Sequence, residues 1–198
     1  MLLEPLNDIE DEKLFEKISL DPNKEYIMIA TRRFGNINIE KDIAKVADYY
    51  NNKGIPVIFV PMQLPKDLKM GRSIAKHMKT DLKIIENRLS AREIITLSKR
   101  CKIVLAMRLH SLIYSASASV PMVAINYDPK IKSFMEYLGL SYIIPLEEVN
   151  KEKIIKMIDE VLDDEKNQRE SIEKRKKELY KLAYQNAQIA VDLLKTYK

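Results

Sequence analysis

Lys102-Ile103-Val104-Leu105-Ala106-Met107-Arg108-Leu109-His110-Ser111 is the stretch on which the fold turns. A continuous apolar run, Ile103 to Ala106, breaks off into an arginine and a histidine, and a helix of small residues (112–119) follows at once. An apolar run without alternation suits a strand covered on both faces of a parallel sheet. Arg108 and His110 then stand just past the carboxyl end of a central strand, the edge at which open α/β sheets place their ligands. Residues two apart on a finished helix point in nearly opposite directions. The two side chains therefore meet one ligand only while residues 108–110 still form the strand-to-helix turn.

Outward from this stretch, strands and helices alternate. Further strands are expected at 26–30, 55–60, 82–85, 121–125 and 142–145. Between them, Ile39, Ile43, Val46, Ala47 and Tyr50 recur at helical spacing and stop at Asn51-Asn52-Lys53-Gly54, a sound helix ending. A helix over 67–79 is expected to bury Leu68, Ile74, Ala75 and Met78. Ser90 with Glu93 three residues on has the spacing of a capping box. Asp128 followed by Pro129 reads as a cap and first helical residue, for a helix that stops near Gly139. Ile154, Ile155, Ile158, Val161 and Leu162 mark another amphipathic helix. A long closing helix carries a stripe at Leu179, Leu182, Ala183, Ala187, Ala190 and Leu194, behind a charged half (166–178) read as a solvated face. This alternation predicts an α/β fold with a doubly wound, mostly parallel sheet and a long C-terminal helix. The right-handed crossover rule favours the strand order 3-2-1-4-5-6. The expected division is a linker or remnant of an upstream half at 1–21, the sheet domain at 22–164 and the closing helix at 165–198. Within the first segment, Leu14, Phe15 and Ile18 have helical spacing.

The 198 residues suffice for one well-buried α/β domain, and 46% hydrophobic with 32% charged residues is ordinary for a globular chain. A net charge of +5 permits anionic partners without requiring them, and no interleaving of aromatic and basic residues points to nucleic acid. A single cysteine, Cys101, excludes an internal disulfide and a cysteine metal cluster, and its place at the head of the central strand reads as a buried thiol. No apolar run reaches membrane-span length and no secretory signal is read, so the expected location is the cytoplasm. No G-x-G-x-x-G follows the first strand and no P-loop appears. Two distant histidines and no paired carboxylate motif argue against a metal site.

In the expected order the first and fourth strands are neighbours. Thr31-Arg32-Arg33 and Met107-Arg108-Leu109-His110 would then face each other across one crevice, with Tyr127-Asp128-Pro129-Lys130 alongside. Guanidinium forks pair with carboxylate or phosphate, and helix N-termini add open N–H donors, so the constellation describes an anion site. A ligand carrying both phosphate and carboxylate would use every part. Histidine ordinarily titrates near neutrality, which suits His110 to proton transfer. The plainer alternatives are a solvent-facing Arg33, an exposed Lys130, a packing role for Tyr127 and a surface His77. Asp128 reads as a cap and Ser111 as a turn residue rather than a nucleophile.

Met107-Arg108-Leu109-His110-Ser111-Leu112-Ile113, followed by Val120 to Lys130, closely resembles the polysaccharide pyruvyl transferases, above all the bacterial cell-wall type associated with S-layer anchoring. The likeness extends more loosely over about 25–195. It implies a Rossmann-like half of a GT-B-type fold, and transfer of the pyruvyl group of phosphoenolpyruvate to a sugar diol as a cyclic ketal. It further implies that Arg108, Leu109 and His110 contact the donor, with His110 as general acid or base. Arg32 or Arg33 would supply the arginine after the first strand, and Tyr127 and Lys130 the downstream turn. No metal or organic cofactor is required. Implied partners are phosphoenolpyruvate, a polysaccharide or lipid-linked sugar acceptor, and a missing N-terminal half or a second copy, at the inner face of the membrane if peripheral. Two alternatives remain open: a GT-B glycosyltransferase domain for a nucleotide sugar, and a non-catalytic α/β interaction domain.

Overall fold

A computed structural model describes residues 8–196. Six parallel strands form one sheet: β1 (Tyr26–Ala30), β2 (Val57–Phe59), β3 (Lys83–Ile84), β4 (Cys101–Ala106), β5 (Met122–Asn126) and β6 (Ile143–Pro145). Their order is β3-β2-β1-β4-β5-β6, the doubly wound arrangement expected from the alternation. All five residues of β1, and Ile103 to Ala106 of β4, are buried. Both faces of the central pair are covered, which is why these runs do not alternate.

Side-chain alternation still divides the core into two layers. Ile27, Ile29, Ile103 and Leu105 meet α2 (Glu40–Asn52), α3 (Lys66–Ala75) and α7 (Lys151–Asp163) on one face. Met28, Val104 and Ala106 meet α4 (Ala91–Lys99), α5 (Leu109–Ser117) and α6 (Pro129–Tyr137) on the other. The helix starts follow local chemistry. Ser90 and Glu93 exchange both bonds of a capping box, and the Asp128 carboxylate accepts from the Lys130 amide ahead of α6. Gly54 (φ +81) and Gly139 (φ +74) take the left-handed conformation just past α2 and α6.

Three details differ from the sequence expectations. Within the segment read as a linker, Asp8–Ile18 forms α1, the short amphipathic helix that its spacing suggests, but Leu14, Phe15 and Ile18 are at most 2% exposed in the same layer as α4 and α5, so the segment is packed rather than a linker. Burial on that scale contributes roughly 1.5–3 kcal/mol per side chain, so α1 is an integral part of the domain. In α3 the buried face is Asp67, Met70, Gly71 and Ile74, leaving Leu68 only half-buried. The helix is rotated so that an acid turns inward, for a reason found at the sheet edge.

The closing helix α8 (Glu165–Thr196) reverses its expected faces. Its charged half docks: Ile172 is fully buried, Arg169 Nη2 donates to the Cys101 carbonyl at 2.6 Å, and Lys176 Nζ donates to Ser119 Oγ at 2.9 Å. Of the expected stripe, Leu179 packs on the core while Leu182 is 48% exposed; the Ala187, Ala190 and Leu194 side chains lie outside the described residues. Among the described residues no helix is long and apolar enough to cross a membrane.

Candidate functional site

β4 delivers the site. The Met107 amide donates to the Ala30 carbonyl at 3.0 Å, which extends the β1–β4 pairing by one bond and aims the chain out of the sheet edge. Arg108 remains extended (φ −103, ψ 124) as the N-cap of α5. Helix begins at Leu109, three residues earlier than the sequence suggests, so His110 already lies in the first turn. Ser111 is fully buried, and both its amide (3.0 Å) and its hydroxyl (2.6 Å) donate to the Arg108 carbonyl. Its hydroxyl proton is committed to that carbonyl, which makes it a turn-closing residue rather than a nucleophile. Cys101 is likewise no candidate, since burial pushes its thiol up to about 12 against a lesser pull from Arg169.

Arg108 and His110 do line one cleft, of about 620 Å³, at the carboxyl edge of the sheet. The segment after β1 is not part of its lining. Gln63 and Leu64, from the loop before α3, and Arg88 and Leu89, from the loop before α4, complete it, with Tyr114 of α5 beside His110. The His110 and Tyr114 rings lie 6.2 Å apart.

The cause is Asp67, a carboxylate 2% exposed in the first turn of α3. It accepts the amides of Met62 (3.1 Å) and Gln63 (2.9 Å) and a two-point ion pair from Arg108, whose Nε donates to Oδ2 at 3.1 Å and whose Nη2 donates to Oδ1. Nη2 also donates to Gln63 Oε1 at 3.1 Å. The Met62 and Gln63 amides hold the inward acid in place, and its charge draws Arg108 across the end of β1 to meet it. The pairing leaves Nη1 of Arg108 without a hydrogen bond among the described residues. A planar fork anchored on one edge in this way presents its other edge at fixed geometry.

The remaining candidates gather elsewhere, which corrects the expectation of a single crevice. Arg32 Nη1 donates to the Tyr127 hydroxyl at 3.4 Å, and its guanidinium stands 5.5 Å from the Tyr127 ring. Phe34 packs on the other part of that ring, centroids 4.5 Å apart. Arg33 turns away, donating to buried Glu40 at 2.9 Å and to Ser73 at 3.3 Å. Lys130 is exposed on α6 and His77 is exposed beyond α3. None of Arg32, Arg33, Tyr127 or Lys130 lines the Arg108–His110 cleft. Thr31 Oγ1 and Asn126 Oδ1 are buried at the ends of β1 and β5 with no hydrogen-bond partner among the described residues, so this part of the edge retains open polar capacity. No group of three or more potential metal ligands occurs among the described residues. Sequence reasoning missed Asp67, Gln63 and Arg88; a buried acid four residues past a glutamine carries no sequence signal until the fold shows which way it points.

The arrangement can hold an anion: one oriented guanidinium edge, one imidazole, one further arginine and the open start of α5 converge on a space large enough for a small polyanion. Comparison with known proteins narrows its relatives. Solved structures with the same fold include glycosyl transferase family 9 from Veillonella parvula DSM 2008, at 17% identity and TM-score 0.64, covering 83% of this chain and 54% of that one. Another is the E. coli ADP-heptose LPS heptosyltransferase II, at 16% identity and TM-score 0.65, covering 81% and 53%. A third is S. aureus MnaA in a co-structure with UDP, at 17% identity and TM-score 0.62, covering 85% and 44%. The chain thus spans about half the length of the structures it matches. At these identities the likeness establishes the fold, a Rossmann-like unit of the GT-B glycosyltransferase kind. No curated protein sequence matches the chain. The family model for polysaccharide pyruvyl transferase matches residues 1–129, a span that runs from α1 to the turn after β5 and contains Arg32, Arg88, Arg108, His110 and Tyr127. The chain therefore belongs to the polysaccharide pyruvyl transferase family.

Proposed function

We propose that the chain is the donor-side half of a polysaccharide pyruvyl transferase, binding phosphoenolpyruvate in the Arg108–His110 cleft and passing its pyruvyl group to a sugar of a cell-wall polysaccharide. The observation that carries this reading is the two-point clamp of Arg108 by Asp67, which orients a free guanidinium edge into the same cleft as His110. Family membership supports the reaction class.

The chemistry assigns a task to each group. His110 protonates the methylene carbon of the enol, leaving a cation-like centre at the neighbouring carbon. One sugar hydroxyl attacks that carbon and loses its proton. The phosphate departs, a second hydroxyl closes the ring and loses its proton, and the products are a cyclic ketal and inorganic phosphate. Nη1 of Arg108 and the open amides at the start of α5 donate hydrogen bonds that orient the leaving phosphate. The sequence resemblance assigns Leu109, Tyr127, Lys130 and one of Arg32 and Arg33 to the donor as well. In this reading Tyr127 and Arg32, which contact each other on a ledge outside the cleft, are reached only by a ligand that extends beyond it toward β5. The sugar acceptor, carried on a polysaccharide or a lipid, approaches from the open side of the cleft, where the other half of the enzyme or a second copy stands. Work at the inner face of the membrane would be peripheral.

The likeness to glycosyltransferases favours one competing reading, a nucleotide-sugar site in the same place. A thermal-shift panel separates them. Phosphoenolpyruvate at millimolar concentration raises the Tm of the wild type and leaves Arg108→Ala unmoved, whereas UDP and ADP do nothing. A response to the nucleotides alone would replace the proposal, and a response to no ligand would favour a non-catalytic domain.

A further inference from the structure

Arg108 points toward the cleft but brings it little net charge. Its guanidinium and the buried Asp67 carboxylate are paired at two points, so together they are electrically neutral. No carboxylate lines the cleft wall. The uncompensated cation there is Arg88, on the loop between β3 and α4. It is exposed, and it makes no hydrogen bond or ion pair among the described residues. It lines the same cleft as His110 and Arg108, two residues before the capped start of α4. Neighbouring basic residues are used differently: Arg72 is paired with Glu86 at 2.8 Å, and Lys17 with Glu93 at 2.7 Å.

We propose that Arg88 is a second donor-contacting residue, closing over the anionic group of the ligand that faces away from Arg108. The proposal rests on the reading of this cleft as the donor site and extends it. A phosphate monoester alone carries a charge of about −1.5 to −2 near neutrality, and phosphoenolpyruvate adds a carboxylate. A neutral Arg108–Asp67 pair orients such a ligand and leaves most of its charge unmet. A long, unpaired side chain on a loop is placed to supply the rest once the ligand arrives. Because Arg88 is exposed and unpaired, its replacement leaves the unliganded fold intact.

The test is titration calorimetry on the full chain at low salt, comparing wild type, Arg88→Gln and Arg88→Lys against phosphoenolpyruvate, inorganic phosphate, pyruvate and UDP. Arg88→Gln is expected to weaken phosphoenolpyruvate binding by about tenfold or more, the usual consequence of losing a charge-assisted bond. Arg88→Lys, which keeps a point charge and loses the fork, should fall between. Equal affinity of wild type and Arg88→Gln for phosphoenolpyruvate would overturn the role of Arg88 while leaving the donor site standing. A wild type that takes only phosphate or UDP would overturn the choice of donor, and the same Arg88 comparison on that anion would still decide the residue's role. A wild type that binds none of the four overturns both.

Discussion

Replacing Asp67 should damage the protein more than replacing Arg108, although sequence alone would rank them the other way. Asp67 is 2% exposed and satisfies three groups at once: the Met62 amide, the Gln63 amide and the Arg108 guanidinium. Removing one partner of a buried ion pair costs about 3–5 kcal/mol. The Arg108 side chain keeps 14% exposure and can turn partly to water, which places Asp67→Ala at the lower end, about 3–4 kcal/mol with the two orphaned amides included. In a chain of this size that corresponds to a Tm loss of roughly 6–16 °C. Arg108→Ala removes the side chain that covers Asp67 from the cleft, so water reaches a carboxylate that keeps both amides at the start of α3, and the cost should be only about 1–2 kcal/mol. Equilibrium urea unfolding followed by far-UV circular dichroism measures both, provided the denaturant slope is unchanged. Equal stability of the two variants, or an Asp67→Ala value within about 0.5 kcal/mol of wild type, the range of ordinary surface substitutions, would refute a structural role for the buried acid beyond that of Arg108.

Other consequences follow from particular contacts. A Cβ at Gly71 would stand 2.6 Å from the ring of Phe59, which is fully buried and has nowhere to swing, so Gly71→Ala should destabilise by about 1–3 kcal/mol in the same unfolding assay. Cys101 should resist a maleimide at pH 8 in the native protein and react on unfolding, because burial raises its thiol to about 12; rapid native labelling would contradict the packing of α8 against β4. Burial pushes the Asp48 carboxyl up, but the Thr80 hydroxyl and the Lys79 and Thr80 amides outweigh it and hold it below its ordinary range; Lys176 and the Ser119 hydroxyl hold Glu173 low as well. A carboxyl depressed in the folded state contributes stability above its unfolded value and loses it as pH falls through the folded one. The Tm should therefore stay level down to about pH 5, fall below about pH 4, and fall less steeply in Asp48→Asn.

The fold was legible because its signals are local and redundant. Ile103 to Ala106 had to be a doubly covered strand, Ser90 with Glu93 and Asp128 with Pro129 mark helix starts through bonds made within three residues, and handedness leaves few orders for six parallel strands. The site was legible only along the chain. Arg108 and His110 share a cleft, as their position past β4 suggests, because Arg108 stays extended as the cap. Their neighbours were not legible, since which loop faces Arg108 depends on a buried charge pair spanning 41 positions. In sequence, Asp67 looks like an exposed acid favoured by a helix start, and nothing separates Arg88 from 33 other basic residues. The inversion of α8 has a similar origin. Its charged half supplies Arg169 and Lys176 to carbonyl and hydroxyl oxygens of the domain, contacts that no periodicity reveals.

A crystal structure of the chain with phosphoenolpyruvate tests the central claim most directly. Phosphate or carboxylate oxygens within hydrogen-bonding distance of Nη1 of Arg108 and of the His110 ring, with Asp67 still clamping the far edge of the guanidinium, are the predicted result. Ligand found only on the Arg32–Tyr127 ledge, or a cleft that stays empty at saturating concentration, would contradict it.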